Sequence, residues 1–376
     1  MAAAYPKASM MRIGIDAGPA FAGHGGVGQY VRGLLTAFSR LDLPHEWALF
    51  IPPGRPAPSF PWVSETNGAT WIPHSRWPWA SIRKERVDIF HGTNFKVPIR
   101  GTRGTVVTIH DLWLCRYPQY SKKFGGERWA LARLKRRVWS ADRVIAVSHA
   151  TERDIQEFTG LPLERIRVVY HGVPEGYYPD SDEMAWNMAK QAMRLPDRPF
   201  LLFVGGADPR KNHRVVFRAL SRASWIVKDF ALVLVGSRQA RGMDIEETAK
   251  SMGLRSGIFA VGAVSQDQLR LLYTHATAFV FPSLYEGFGF PVLEAMTCGA
   301  PVITSKTTAL PEVAGDAAIL IDPHDEGDLL KALEHLLGNE DARRELIAKG
   351  LERVKQFTWE RTALQTLELY EEVGSL

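Results

Sequence analysis

Two glutamates, Glu286 and Glu294, stand with seven residues between them in the segment FVFPSLYEGFGFPVLEAMTCG (279–299). An apolar run ends at Pro282, a loop with Gly287 and Gly289 follows, and Pro291 suits the first turn of a helix that Gly299 terminates. This order predicts a strand, a loop and a helix whose free N–H groups and positive dipole end suit a phosphate. Glu286 is expected on the loop and Glu294 in the first helical turn. Carboxylates beside a phosphate make electrostatic sense only as acceptors from hydroxyls, so ribose and hexose hydroxyls are the expected partners. The alternative is a solvated loop carboxylate and an ordinary first-turn charge.

A second such element is FVGGADPRKN (203–212), where a buried strand runs into Gly205-Gly206 and then Arg210 and Lys211. A guanidinium fork and an ammonium point charge both suit a diphosphate, and would neutralise a departing one with no metal. A third is the glycine loop, with Gly23, Gly25 and Gly28 in G-x-G-x-x-G spacing. As a dinucleotide fingerprint it fails twice. Six residues separate Asp16 from Gly23, and the next strand ends in IPPG rather than an acidic residue. It remains flexible backbone at a helix N-terminus, able to meet an anion or a sugar.

The elements that must carry these groups follow from periodicity. RIGID (12–16), WALFIP (47–52), VDIFH (87–91), TVVTIH (105–110) and RVIAVS (143–148) read as short strands, with helices at about 27–41, 126–140 and 149–159. After 180–198 the pattern restarts with FLLFVGG, ALVLVG, IFAVG, AFVFPS, PVITS and AILID. Strands alternating with helices predict an α/β protein of two Rossmann-like doubly wound domains across a cleft, spanning 1–185 and 198–357. Residues 1–10 are expected to be a loose extension and 358–376 a final amphipathic helix.

Composition sets the outer limits. A length of 376 residues with 45% hydrophobic and 23% charged residues is globular and long enough for two domains. Two cysteines, Cys115 and Cys298, exclude a disulfide framework, and no metal-binding spacing occurs. No apolar run approaches a membrane span, and the N-terminus lacks signal-peptide order. A reducing, cytoplasmic setting is expected. The net charge of +5 is uneven: residues 1–180 carry 24 Lys+Arg against 15 Asp+Glu, and the remainder 22 against 26. A basic first half suggests an anionic partner, or simply a solvated surface.

Together these motifs, in this order, resemble the retaining glycosyltransferases of family 4 with the GT-B fold, over nearly the whole chain. The resemblance implies that the C-terminal domain binds a nucleotide sugar, with Arg210 and Lys211 on the diphosphate, Glu294 on the ribose and Glu286 on the transferred sugar. It also implies backbone contacts around Phe288, Gly289 and Phe290. His110, in TIHDL, matches the residue that contacts the sugar near the reaction centre, with Asp111 orienting or capping. Gly25 and Gly26 match the loop near diphosphate and acceptor. The family's last helix commonly crosses back to the first domain. His171 replaces the usual asparagine of an NGV motif near the hinge, a departure without expected chemical consequence.

The resemblance further implies retention at the anomeric carbon, and front-face displacement is the expected route. Likeness to bacterial O-antigen and exopolysaccharide enzymes suggests mannose from GDP-mannose, transferred to a glycan or polyprenyl-diphosphate-linked glycan. No cofactor and no metal are expected. Arg128, Arg133, Lys135, Arg136 and Arg137, with seven of 11 tryptophans between 62 and 139, suggest peripheral docking on the anionic inner face of the cytoplasmic membrane. The alternatives are a charged helix with core tryptophans, and, for the enzyme, a non-hydrolysing sugar-nucleotide epimerase. Nucleic acid is not an expected partner, since no recognition signature accompanies the basic charge.

Overall fold

The computed structural model describes residues 10–21, 25–54, 69–73, 79–96, 102–120, 127–240, 243–254 and 256–376, without the side chains of 79, 80, 127–130, 240 and 243. Most of the expected N-terminal extension, Gly23, and the side chains of Arg128 and Trp129 therefore lie outside the described residues. The chain divides into two compact units, 1–172 with 357–376, and 173–356.

The first unit is built on a seven-stranded sheet. Its strands are β1 (Arg12–Asp16), β2 (Glu46–Ile51), β3 (Ala69–Pro73), β4 (Ile89–Gly92), β5 (Gly104–Ile109), β6 (Arg143–Ala146) and β7 (Ile166–Val168), in the order 3-2-1-4-5-6-7. Every neighbouring pair is parallel, with Ile15 of β1 opposite Leu49 of β2 and His91 of β4. Such strands are covered on both faces, which is why β2 and β5 are almost continuously buried. On one face, Tyr30, Val31, Leu34, Leu35 and Phe38 of helix Gly26–Arg40 recur at helical spacing and enter the core. The same cluster takes in Ala363, Leu367, Tyr370 and Val373 of helix Trp359–Gly374. On the other face Leu134 and Val138 of helix Glu127–Ser140 pack with Val107, Ile109 and Val144.

The second unit repeats the plan. It comprises β8 (Phe200–Val204), β9 (Ala231–Val235), a short antiparallel ribbon of β10 (Gln239–Ala240) and β11 (Met243–Asp244), then β12 (Ile258–Gly262), β13 (Ala278–Phe281), β14 (Val302–Ser305) and β15 (Ile319–Ile321). The six-stranded parallel sheet runs β12-β9-β8-β13-β14-β15. Both sheets thus share the 3-2-1-4-5-6 order of a Rossmann fold, the first with one strand added.

The division at Gly172/Val173 differs from the expected boundary at 180–198. Those residues belong to the second unit because specific contacts hold them there. Asp180 pairs with Arg270 at 3.0 Å, and Trp186 of helix Glu183–Ala192 stacks on His275 at 4.3 Å and lies near Phe200 at 5.9 Å. This helix presents no buried apolar stripe, since Met184 and Met188 are exposed and only Ala189 on it is fully buried.

Candidate active site

In a doubly wound sheet, ligands bind beyond the carboxyl ends of the strands where the order reverses. In the second unit that point lies between β8 and β13. The loop after β8 carries Gly205 and a 3-10 turn, Pro209–Lys211, capped by Asp208 accepting from the Arg210 N–H at 3.0 Å. Asn212 follows at φ 60° and donates to the Pro282 and Pro323 carbonyls. The loop after β13 answers it: the Leu284 N–H donates to the Arg210 carbonyl at 2.8 Å, and the Ser283 Oγ lies 3.0 Å from the same carbonyl. Lys211 and Glu286, 75 positions apart, meet here with Nζ to Oε1 at 2.7 Å, and the Ser283 hydroxyl donates to the same oxygen at 2.6 Å. The Lys211 ammonium also lies 4.8 Å over the Phe281 ring. At Gly205 a Cβ would come within 3.0 Å of the Lys211 stem, so glycine is what lets that side chain pass.

Glu286 is only 8% exposed. Burial pushes its carboxyl up, but the charges of Lys211 and Arg210 and the bonds from Lys211 and Ser283 outweigh this and hold it below the ordinary range. Arg210 stands 3.9 Å from Asp208, a loose pair beside the tight one. Helix Phe290–Thr297 starts from Gly289, whose φ of 124° disfavours any side chain, with Phe288 and Phe290 buried on either side. Glu294 is the fifth helical residue, in the second turn and not the first as the sequence suggested, because the helix begins at Phe290. It is 5% exposed, and the Tyr273 hydroxyl donates to it at 3.2 Å.

The corresponding point of the first unit, between β1 and β4, carries uncharged rings and hydroxyls beside the buried Asp16 carboxyl, which accepts from the Gly18 N–H at 3.1 Å. The Thr93 hydroxyl, just past β4, donates to the Asp16 carbonyl at the end of β1 at 2.6 Å. His110, just past β5, has Nε2 2.8 Å from the Thr93 carbonyl, so Nε2 carries the proton. Burial pushes this imidazole down to about 4, against the raising effects of that carbonyl and Asp111. Its ring lies 5.0 Å from Tyr30 and 5.6 Å from His171, and His171 in turn stacks near Trp359 at 6.0 Å. Beneath them His91 joins Tyr370 at 2.6 Å and Thr108 at 2.7 Å, and Thr108 meets the Tyr30 hydroxyl at 3.0 Å. Asp111 accepts from the Trp113 N–H at 3.2 Å. Gly25 and Gly26 are exposed at the start of helix Gly26–Arg40.

Of the expected residues, Gly205, Arg210, Lys211 and Glu286 are brought together; Phe288, Gly289, Phe290 and Glu294 lie on the loop and helix that follow Glu286, and Gly25, Gly26 and His110 lie in the first unit. Sequence reasoning gave no role to Ser283, although it lies within the 279–299 segment, or to Tyr273, Tyr30 and His91, and gave His171 no part although its ring neighbours His110. Of the tryptophans, Trp113 is buried against Tyr117 and Tyr120, and Trp139 donates to the Thr159 carbonyl at 3.0 Å. Among the described residues no group of His, Cys, Asp and Glu is arranged to hold a metal, and no helix is long and apolar enough to cross a membrane.

Residues 24–176 match the family model described as Glycosyltransferase Family 4, and residues 186–353 that of Glycosyl transferases group 1. The O-antigen chain mannosyltransferase B of Escherichia coli is 34% identical over 297 residues, covering 78% of this chain and 77% of that protein. The chain belongs to the family 4 glycosyltransferases. A second relative of this glycosyltransferase, the serotype-specific mannosyltransferase WbdA of Escherichia coli, is 35% identical over 59% of the chain but only 28% of its own length. Sucrose-phosphate synthase from Thermosynechococcus elongatus has the same fold, with a TM-score of 0.77 at 23% identity over 97% of this chain and 99% of that one. Anabaena HepE, solved with UDP-glucose, gives 0.74 at 16% identity over 96% and 100%. The glycosyltransferase thus has the GT-B fold, and matches to transferase families do not favour the epimerase alternative.

Proposed function

We propose that this glycosyltransferase moves mannose from GDP-mannose to a glycan or polyprenyl-diphosphate-linked glycan of a cell-surface polysaccharide, with retention of anomeric configuration and without a metal. The observation that carries the reading is the buried Lys211–Glu286–Ser283 cluster at the β8/β13 reversal, beside the N-terminus of helix Phe290–Thr297. The two Escherichia coli relatives, both mannosyltransferases by name, support mannose as the sugar.

In this mechanism Arg210, Lys211 and the helix N-terminus hold the diphosphate and stabilise the charge that grows as it leaves. Lys211 is held in place by Glu286, whose own carboxylate, kept ionised, accepts from hydroxyls of the transferred sugar. Glu294 accepts from the ribose. His110, neutral at physiological pH with Nε2–H on Thr93, offers Nδ1 as an acceptor to the sugar. The acceptor hydroxyl attacks the anomeric carbon on the face the diphosphate leaves, and the departing diphosphate oxygen takes its proton. Gly25 and Gly26 lie along the diphosphate and acceptor. The exposed cations Arg133, Lys135, Arg136 and Arg137 support docking on an anionic membrane surface, with the helix's apolar face already used in the core.

The test is transfer of labelled mannose from GDP-mannose to a mannan oligosaccharide in EDTA, with product anomer assigned by NMR. The expected product is the α-anomer, and Glu286→Gln abolishes its formation without unfolding the protein. Transfer from UDP-glucose alone would refute the donor assignment, a β-linked product the retention, and strict Mg²⁺ dependence the metal-free mechanism.

A further inference from the structure

Glu294 is a nearly buried carboxylate in the interior of a helix, and a carboxylate so placed needs donors. Two phenols supply them. Tyr273, fully buried on helix Gln266–His275, donates to Oε2 at 3.2 Å, and Tyr177 hydrogen-bonds the same carboxylate. The two tyrosine rings lie edge to face at 6.1 Å, and Tyr273 is also held edge-on by Phe279 at 5.2 Å. Tyr177 comes from the segment by which the chain enters the second unit, and that segment is anchored on both sides of it. Gln266 donates to the Glu175 carbonyl at 2.5 Å, Arg270 to the Gly176 carbonyl at 3.2 Å, and the Arg270 guanidinium lies 4.4 Å over the Tyr178 ring and pairs with Asp180 at 3.0 Å. Burial first, and then the charge of Glu294, raise the pKa of both phenols, so both remain donors at any physiological pH.

We propose that Tyr177 and Tyr273 are positioning residues that orient the Glu294 carboxylate toward the ribose diol of the nucleotide. This rests on the reading of Glu294 as the ribose acceptor. A carboxylate can take about four hydrogen bonds, so two fixed phenols can set its plane while it also receives a vicinal diol. A planar acceptor locked by two donors discriminates a diol from an analogue lacking it, whereas a carboxylate turning freely does so weakly.

The test is calorimetric titration of the full chain with GDP and with 2′,3′-dideoxy-GDP, and with the matching uridine pair in case the base assignment is wrong. Wild type is expected to prefer the ribonucleotide by roughly tenfold or more, the value of one hydrogen bond to a charged group. Tyr177→Phe and Tyr273→Phe are expected to reduce that preference to about twofold while leaving affinity for the dideoxy nucleotide unchanged, which a purely structural loss would not do. Tyr177 is only half-buried, so its variant keeps the test intact if Tyr273→Phe folds poorly, as thermal midpoints without nucleotide will report. If both folded variants keep the full preference, the positioning role is wrong and the ribose reading stands. If wild type shows no preference in either base series, the ribose reading fails and the inference with it.

Discussion

The two units share one strand order but furnish the reversal point with opposite chemistry. In the second unit the groups are ionic: Lys211 and Glu286 form a tight buried pair, with Arg210 beside them. In the first they are uncharged rings and hydroxyls, with the Asp16 carboxyl at the end of β1 the exception. Burial pushes His91 down to about 3 and His110 to about 4, lowers His171 well below its ordinary value, and leaves these rings among Tyr30, Trp359 and Tyr370. Topology therefore fixes where a ligand can sit on each unit, and side chains decide what chemistry that point offers. A buried cation with a counter-carboxylate suits a diphosphate. Neutral donors and acceptors suit uncharged hydroxyls and do not compete for the phosphates.

The largest effect that would break this contrast comes from Lys211. Removing one partner of a buried ion pair leaves an uncompensated charge, at a cost of about 3–5 kcal/mol. Lys211→Met should lower the denaturation midpoint sharply and reduce turnover by roughly 10²–10³-fold. Lys211→Met/Glu286→Met should recover much of the stability but none of the activity, since a well-packed apolar pair is often as stable as the ions. Recovery of turnover in the double variant, measured beside its urea midpoint, would mean the pair is scaffolding alone.

Next comes the neutral side of the contrast. His110→Ala should lower kcat/KM by roughly tenfold, the loss of a hydrogen bond, with unchanged affinity for GDP. Because the folded rings titrate well below the ordinary imidazole value near 6.5, the unfolded chain binds more protons between about pH 6.5 and pH 4. Stability must then fall with falling pH across that window, each buried imidazole contributing a slope of up to roughly 1.4 kcal/mol per pH unit, and these rings add no pH dependence above pH 7. His213, lowered to about 4 by burial, and Glu286, held below its ordinary range, act in the same direction. A thermal midpoint constant from pH 7 to pH 5 would show that the cluster is not held neutral.

The smallest effect concerns the outer face of helix Glu127–Ser140. Each cation near an anionic bilayer contributes about 1 kcal/mol, so Arg136→Glu/Arg137→Glu should weaken sedimentation with anionic vesicles at low salt and leave mannose transfer to a soluble acceptor within about twofold. Equal vesicle binding by the variant and wild type would reduce that face to a solvated surface.

Much of this was legible in the sequence because local rules and tertiary structure agree. RIGID and IFAVG are strands with the expected bounds, and Pro291 and Gly299 frame the helix of Glu294. What could not be read depends on distant residues. β3 and β7 are short edge strands whose burial alternates or fades, so neither presents an apolar run. The Lys211–Glu286 pair spans 75 positions and the His91–Tyr370 bond 279, separations that no local pattern encodes. Glu294 falls in the second turn because the helix already begins at Phe290, directly after Gly289 with its positive φ, and not at Pro291.

The central claim is that the second unit holds the nucleotide sugar through Arg210 and Lys211 with no metal, while the neutral cluster of the first unit acts elsewhere on the substrates. Calorimetric titration of GDP-mannose in EDTA tests it directly, with wild type, His110→Ala and Arg210→Met/Lys211→Met compared at equal fold integrity. The account predicts similar binding by wild type and His110→Ala and none by the double variant. Binding that appears only with added Mg²⁺, or that survives in Arg210→Met/Lys211→Met, would contradict it.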